Sequence, residues 1–221
     1  MAFRRVVSFF TDLLFPPRCL FCRAILPADS SGVCSECDGS LPCRPAGELF
    51  FPEGSVCSAP FFYEGHVREL IHRFKFRGKW ALAKPMAGYL ARAAEHLPPS
   101  DLVSWVPVSR ARLRTRGYDQ SKLLAQETAG LLWLPPVETL CKPRDVPTQN
   151  TLTDGASRRK NVSGAFRALP GAVEDRHVLL VDDVFTSGAT LEECVRMLCE
   201  AGAASVRCAV FARTRQPTGA G

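Results

Sequence analysis

Two stretches of this chain carry residue types that could do chemistry. Residues 178–190 read VLLVDDVFTSGAT. Val178 to Val181 is a short apolar run rich in β-branched residues, the pattern of a buried strand. From Leu191 onward, Leu191, Cys194, Val195 and Leu198 recur on one face of a helix. Asp182 to Thr190 is therefore expected to form the turn between them. In open α/β sheets, ligands bind at that end of a strand. Thr186, Ser187, Gly188, Ala189 and Thr190 would offer hydroxyls and unpaired N–H groups at the positive end of the helix dipole. This makes a cup for a monophosphate. It is not a Walker loop, because G-x-x-x-x-G-K-[ST] does not occur. Asp182 and Asp183 would repel the phosphate itself, but they can accept hydrogen bonds from adjacent sugar hydroxyls. Acids plus cup suit a ribose 5-phosphate. The plain alternative is a strand-end acid pair before an ordinary capped helix.

The second stretch holds Cys19 and Cys22, then, after eleven residues, Cys34 and Cys37. Two close thiolate pairs suit tetrahedral Zn²⁺, and Gly32 suits the tight turn before Cys34. Free thiols or disulfides are the alternatives. A site with four protein ligands is structural, since no coordination position is open to a substrate. Cys43 and Cys57 could serve as substitute ligands, although buried thiols account for them equally well.

These sites need a frame. The chain has 221 residues, 46% of them hydrophobic, enough for one ordinary domain and an appendage. Its net charge of +6 fits a phosphate ligand, a nucleic acid or a merely solvated surface. Ten cysteines, several of them inside apolar patterns, do not resemble a secreted disulfide scaffold and point to a reducing, cytoplasmic setting. No run reaches the roughly 18–20 apolar residues of a membrane span. Residues 3–14 read as an amphipathic helix, packed on the protein itself or touching the inner face of a membrane. Residues 15–60 are rich in Cys, Pro, Gly and Ser and cannot build much core.

An α/β pattern follows. Strands are expected near 58–63, 101–108, 137–141, 164–168, 177–184 and 205–213. Helices are expected near 65–74, 81–96, 119–134 and from 191 to about 201. Residues 143–163 form a long loop carrying Arg144, Arg158, Arg159 and Lys160, suited to cover an anionic ligand.

The segment VLLVDDVFTSGAT resembles the phosphoribosyl-diphosphate signature of type I phosphoribosyltransferases. WVPVSRARLRTRGYDQSKLLA at 105–125, TQNTL and SRRKNVSGAF within 148–166, and the cysteine-rich front extend the resemblance to the ComF family over nearly the whole chain. That family comprises bacterial proteins associated with competence and DNA uptake. The resemblance implies a mainly parallel sheet flanked by helices, with a small N-terminal zinc ribbon. The implied division is 1–57 for the N-terminal helix and four-cysteine ribbon, 58–213 for the phosphoribosyltransferase domain, and 214–221 for a loose tail. It also implies phosphoribosyl diphosphate with Mg²⁺ as ligand and transfer of ribose 5-phosphate to an acceptor that no motif identifies. Asp182 and Asp183 would hold the sugar hydroxyls, and Thr186 to Thr190 the 5-phosphate. Val108, Ser109 and Arg110 would form the diphosphate loop. Residues 143–163 would be the catalytic loop, with Arg159 its anion contact. Arg116, Gly117 and Gln120 fall in the family's RGxxQ element. The chain departs from the family at Ser187, where Thr is commoner. Asp119 stands where Asn is usual, which adds a negative charge there.

A non-catalytic reading also stands: a sensor of the sugar diphosphate, or an accessory protein handling single-stranded DNA alongside the uptake machinery. HVRELIHRFKFRGKW sets Arg68, Arg73, Lys75, Arg77 and Lys79 among Phe74, Phe76 and Trp80, a mixture suited to backbone neutralisation and base stacking. Leu70, Ile71 and Phe74 keep helical spacing, so these aromatics can equally be core.

Overall fold

The protein is described by a computed structural model covering residues 16–42, 49–51, 54–143 and 162–215. The helix expected over 3–14, Cys43, and the loop cations Arg144, Arg158, Arg159 and Lys160 lie outside the described residues. In chain order the front half contains α1 (Ser35–Ser40), β1 (Leu49–Phe50), β2 (Val56–Ser58), β3 (Phe61–Phe62), α2 (Gly65–Phe76) and α3 (Ala83–Glu95). Next come β4 (Leu102–Trp105), α4 (Arg110–Arg116), α5 (Gln120–Leu132) and β5 (Leu140–Cys141). The chain continues through β6 (Arg167–Ala168), β7 (His177–Phe185), α6 (Ala189–Glu200) and β8 (Ser205–Arg213).

The main sheet runs β1-β2-β8-β7-β4, with β3 following β2 along the same edge of β8. Among the described residues only the β1–β2 pair of this sheet is antiparallel; its other pairings are parallel. Alternation along β7 explains the layers. Leu179 and Val181 join one hydrophobic cluster, Val178 and Leu180 another. A strand buried on both faces reads as an unbroken apolar run, as this one does. The first cluster packs α2, α3 and α5 through Leu70, Ile71, Phe74, Met86, Leu90 and Leu124. The second packs α6 through Leu191, Cys194, Val195 and Leu198.

The coreless front module borrows the first of these cores. Leu20, Phe21 and Leu26 are buried in it, and the Phe21 ring meets Phe61 and Tyr89 edge-on at 5.6 and 5.9 Å. Arg73 of α2 donates to the carbonyls of Leu20 and Phe21, the latter at 3.0 Å.

Several expectations shift. The strand foreseen at 58–63 breaks at Ala59-Pro60, since proline has no N–H for the ladder. β7 matches the strand expected near 177–184, but the turn expected over Asp182–Thr190 does not hold: Asp182, Val184 and Phe185 pair with β8, so the turn shrinks to Thr186–Gly188 and α6 starts at Ala189. α4 was not foreseen. Its sequence, RARLRTR, has no apolar stripe, and Leu113 is exposed. The readable signals were its ends: Ser109 accepts from the Arg112 N–H at 3.4 Å, and Gly117 closes the helix at φ +80°.

Candidate functional site

β4 pairs with β7 as far as Trp105 and Val181, β7 runs on to Phe185, and a cavity of about 220 Å³ opens beyond the carboxyl end of β4. Asp182 and Asp183 from β7 line it, as do Val108 beyond β4, Arg112 and Arg116 from α4, Gln120 and Ser121 from α5, and Lys75 from α2. Lys142, Phe166, Thr186 and Thr190 also line it. A second, smaller hollow of about 50 Å³ adjoins at Asp182 and is lined by Thr186, Ser187, Gly188 and Thr190.

The two acids are held differently. Asp182 Oδ1 accepts from Ser121 Oγ at 2.7 Å and from the Asp183 N–H at 2.8 Å. Burial, and then the neighbouring Asp183 charge, push the Asp182 carboxyl up to about 7, although Ser121 and Lys75 pull the other way. Asp183 is 3% exposed, and its Oδ1 lies 2.7 Å from Lys75 Nζ. Its Oδ2 is buried without a partner. Two more residues of the cavity wall each bury an atom with no partner among the described residues, Arg116 Nη1 and Gln120 Oε1. Arg116 lies over the Phe76 ring at 4.8 Å, and burial lowers its pKa. Buried polar groups in folded proteins normally find partners, so three orphans around one cavity mark a place built for a polar guest.

Of the residues foreseen, Asp182, Asp183, Val108 and Thr186 to Thr190 lie around these two hollows, with Ala189 as the first residue of α6. The Val108 N–H donates to Asp119 Oδ2 at 3.2 Å, and Ser109 serves as the α4 cap. Arg110 is exposed at the start of α4. Arg159 lies outside the described residues. Asp119 is a brace: it caps α5 through the Lys122 N–H at 2.9 Å while holding Val108. Burial raises its pKa against those hydrogen bonds.

Sequence reasoning missed Lys75 and Ser121 as site residues. Lys75 stands four residues after the buried Ile71, on the core face of α2, and a lysine at that register was the available signal. The same placement divides the basic-aromatic stretch. Phe74 is core, Arg73 holds the front module, and Phe76 and Trp80 are exposed.

At the front, the Sγ atoms of Cys19, Cys22, Cys34 and Cys37 all lie within 4.8 Å of one another, with Cys22 to Cys34 at 3.6 Å. Metal–sulfur bonds of about 2.3 Å would set tetrahedral edges near 3.8 Å. A disulfide needs about 2.05 Å. The Cys34 N–H donates to Cys19 Sγ at 3.5 Å and the Cys37 N–H to Cys34 Sγ at 3.4 Å. Burial raises the Cys19 thiol, but the backbone donors more than reverse this and bring it to about 6. The four sulfurs fit a structural zinc ion. Cys57 is a buried strand residue in the other hydrophobic cluster.

The phosphoribosyl transferase domain profile matches residues 118–220, and the double zinc ribbon domain profile matches residues 10–60. The DNA utilization protein YhgH of Salmonella typhi is 31% identical over 91% of this chain and 99% of its own. Competence protein F of Haemophilus influenzae is 29% identical over 86% of this chain and 94% of its own. The chain belongs to the ComF family. Among solved structures, this ComF chain is similar to the glutamine phosphoribosylpyrophosphate amidotransferase of B. subtilis, at 30% identity and a TM-score of 0.42, over 58% of the chain and 25% of that protein. The ComF protein thus joins a phosphoribosyltransferase-type fold to a zinc ribbon. No helix among its described residues is long and apolar enough to cross a membrane.

Proposed function

We propose that the cavity binds phosphoribosyl diphosphate with Mg²⁺ and that the protein transfers ribose 5-phosphate to an acceptor, in the service of DNA uptake. The observation that carries this reading is the set of buried, unpartnered atoms Asp183 Oδ2, Arg116 Nη1 and Gln120 Oε1 around a cavity that adjoins the Thr186–Thr190 hollow. A sugar hydroxyl can donate to a carboxylate or amide oxygen and accept from a guanidinium, so a sugar edge that draws these side chains towards the cavity would supply partners for them. The hollow would take the 5-phosphate on α6 amides and on Thr186, Ser187 and Thr190 hydroxyls. Arg112, Arg116 and Lys142 would face the diphosphate. In the reaction the bond from the anomeric carbon to the diphosphate oxygen breaks, and one to the acceptor forms. The transition state carries positive charge on the ring and negative charge on the leaving group, which those cations would stabilise. Mg²⁺ would add charge neutralisation there, and the carboxylates of Asp182 and Asp183 suit such a hard cation. Arg159 is proposed as a further anion contact from the 143–163 loop.

Calorimetry with phosphoribosyl diphosphate and Mg²⁺ tests this. Wild-type protein should bind, and Asp182→Asn/Asp183→Asn should lose at least tenfold in affinity. Equal affinity in both would reject the assignment. Diphosphate release across a panel of bases and amines would then separate an enzyme from a sensor.

A second surface favours contact with single-stranded DNA. A groove of about 620 Å³ runs between the front module and α2, lined by Arg23, Arg68, Arg73 and Arg77 with His72 and one carboxylate, Glu69. Because Arg73 is engaged by backbone carbonyls and Lys75 by Asp183, the cations to remove are Arg23, Arg68 and Arg77. Their replacement by alanine should weaken binding and flatten its salt dependence by roughly 0.7 for each phosphate no longer neutralised. An unaltered slope would dismiss the groove.

A further inference from the structure

The pair between Lys75 and Asp183 raises a question that the ribose assignment leaves open. Asp183 is buried, and a buried carboxylate is tolerable only with a partner. Lys75 supplies that partner at 2.7 Å, occupying Oδ1 of the acid proposed to receive the sugar. Lys75 is not rigidly confined. Its side chain is 19% exposed, and an ammonium on a four-carbon stem can turn its three donors to a new acceptor without moving the helix. It lines the same cavity as Arg112, Arg116 and Lys142, where an anionic leaving group would be drawn.

We infer that Lys75 is a specificity-determining residue that exchanges partners on loading, passing from Asp183 to the ligand's diphosphate and so releasing Asp183 Oδ1 for the sugar. This rests on the phosphoribosyl reading above. It makes the site discriminate by charge at a distance from the sugar. A ligand that carries the diphosphate gives Lys75 somewhere to go. Ribose 5-phosphate does not; it leaves the ammonium on Oδ1, so its sugar edge has only Oδ2 of Asp183. The site therefore favours the loaded donor over a sugar phosphate that has already lost its diphosphate. No other lysine among the described residues is paired with either acid.

The experiment compares affinities of phosphoribosyl diphosphate with Mg²⁺ and of ribose 5-phosphate, for wild type, Lys75→Met and Lys75→Arg. In Lys75→Met, the diphosphate ligand should lose about ten- to a hundredfold, the size of one charge-assisted hydrogen bond. Ribose 5-phosphate should be unchanged or tighter, so that the preference collapses. Lys75→Arg should keep most of the preference. If both ligands weaken by the same factor in Lys75→Met, Lys75 is a brace and the exchange is wrong. If wild type binds neither ligand, the phosphoribosyl reading fails and takes this one with it. Should Lys75→Met not fold, nitrogen-15 spectra of the lysine ammonium groups in wild type decide. The Lys75 signal should move on adding phosphoribosyl diphosphate with Mg²⁺ and stay still with ribose 5-phosphate; equal movement with both overturns the exchange.

Discussion

Gly188 is the position where the phosphate cup is most sharply tested. It caps α6 at φ +81°, a conformation that a side chain disfavours. Alanine held left-handed costs roughly 1–2 kcal/mol. Its Cβ would also lie 2.9 Å from Phe185 Cζ and 3.1 Å from Glu192 Oε1. Phe185 cannot easily swing aside, because it is buried and stacked edge-on against Phe51 at 6.0 Å. Forcing a methyl into such packing costs about 1–3 kcal/mol more. Gly188→Ala should therefore lose about 2–5 kcal/mol in urea unfolding. Gly130→Ala is the matched control. Gly130 lies within α5 without a positive φ, and an added Cβ meets nothing within 4 Å. That change should gain about 0.5–1 kcal/mol. If Gly188→Ala came within about 0.5 kcal/mol of wild type, the ordinary scatter of surface substitutions, the bend at Thr186–Gly188 would not have the strained geometry described.

Three further outcomes are expected. Asp119→Ala should lose about 1–2 kcal/mol of stability in urea as the α5 cap and the Val108 tie vanish, while Asp119→Asn should lose less, since its single amide oxygen keeps the cap but its NH2 cannot accept from the Val108 N–H. Asp182 is held near 7 in the folded chain and ordinarily titrates near 4, so between those values the folded form keeps a proton that the unfolded form has lost. Stability should fall by roughly 1–4 kcal/mol as pH rises from about 4 to 7 and then level off; a curve that Asp182→Asn leaves just as steep would count against this. Stripping zinc with a chelator should lower Tm by at least ~5 °C and expose the Leu20–Phe21 surface to a hydrophobic dye; an unmoved Tm would deny the metal its role.

Much of the frame was legible because β7, β8 and α6 carry unmixed signals: an apolar run, a second one, and a stripe at helical spacing between them. The acids and small residues after Val181 were legible for the same reason, being a break in type at a fixed place along a strand. The losses have physical causes. α4 hides because its stability comes from Ser109 and Gly117 at its ends rather than from a buried face. The turn expected from Asp182 is shorter than composition suggests, because pairing with β8 and a hydrogen bond from Ser121 keep the acids in the strand. Lys75 escaped because a lysine among arginines looks like surface, and its partner stands more than a hundred residues further along. The docking of the front module also depends on tertiary contacts that no local pattern announces: the Phe21 side chain, and two carbonyls that receive Arg73.

Arg73 and Lys75 stand two residues apart on α2 and reach in different directions, one to the cysteine module and one to Asp183. Less than one turn of α2 thus carries both fastenings, while Val67, Leu70, Ile71 and Phe74 hold the rest of the helix in the core. Strain at the carbonyls that receive Arg73 would be felt at an ammonium two residues on. Arg73→Ala, with zinc still bound, should shift the Lys75 ammonium resonance before any ligand is added.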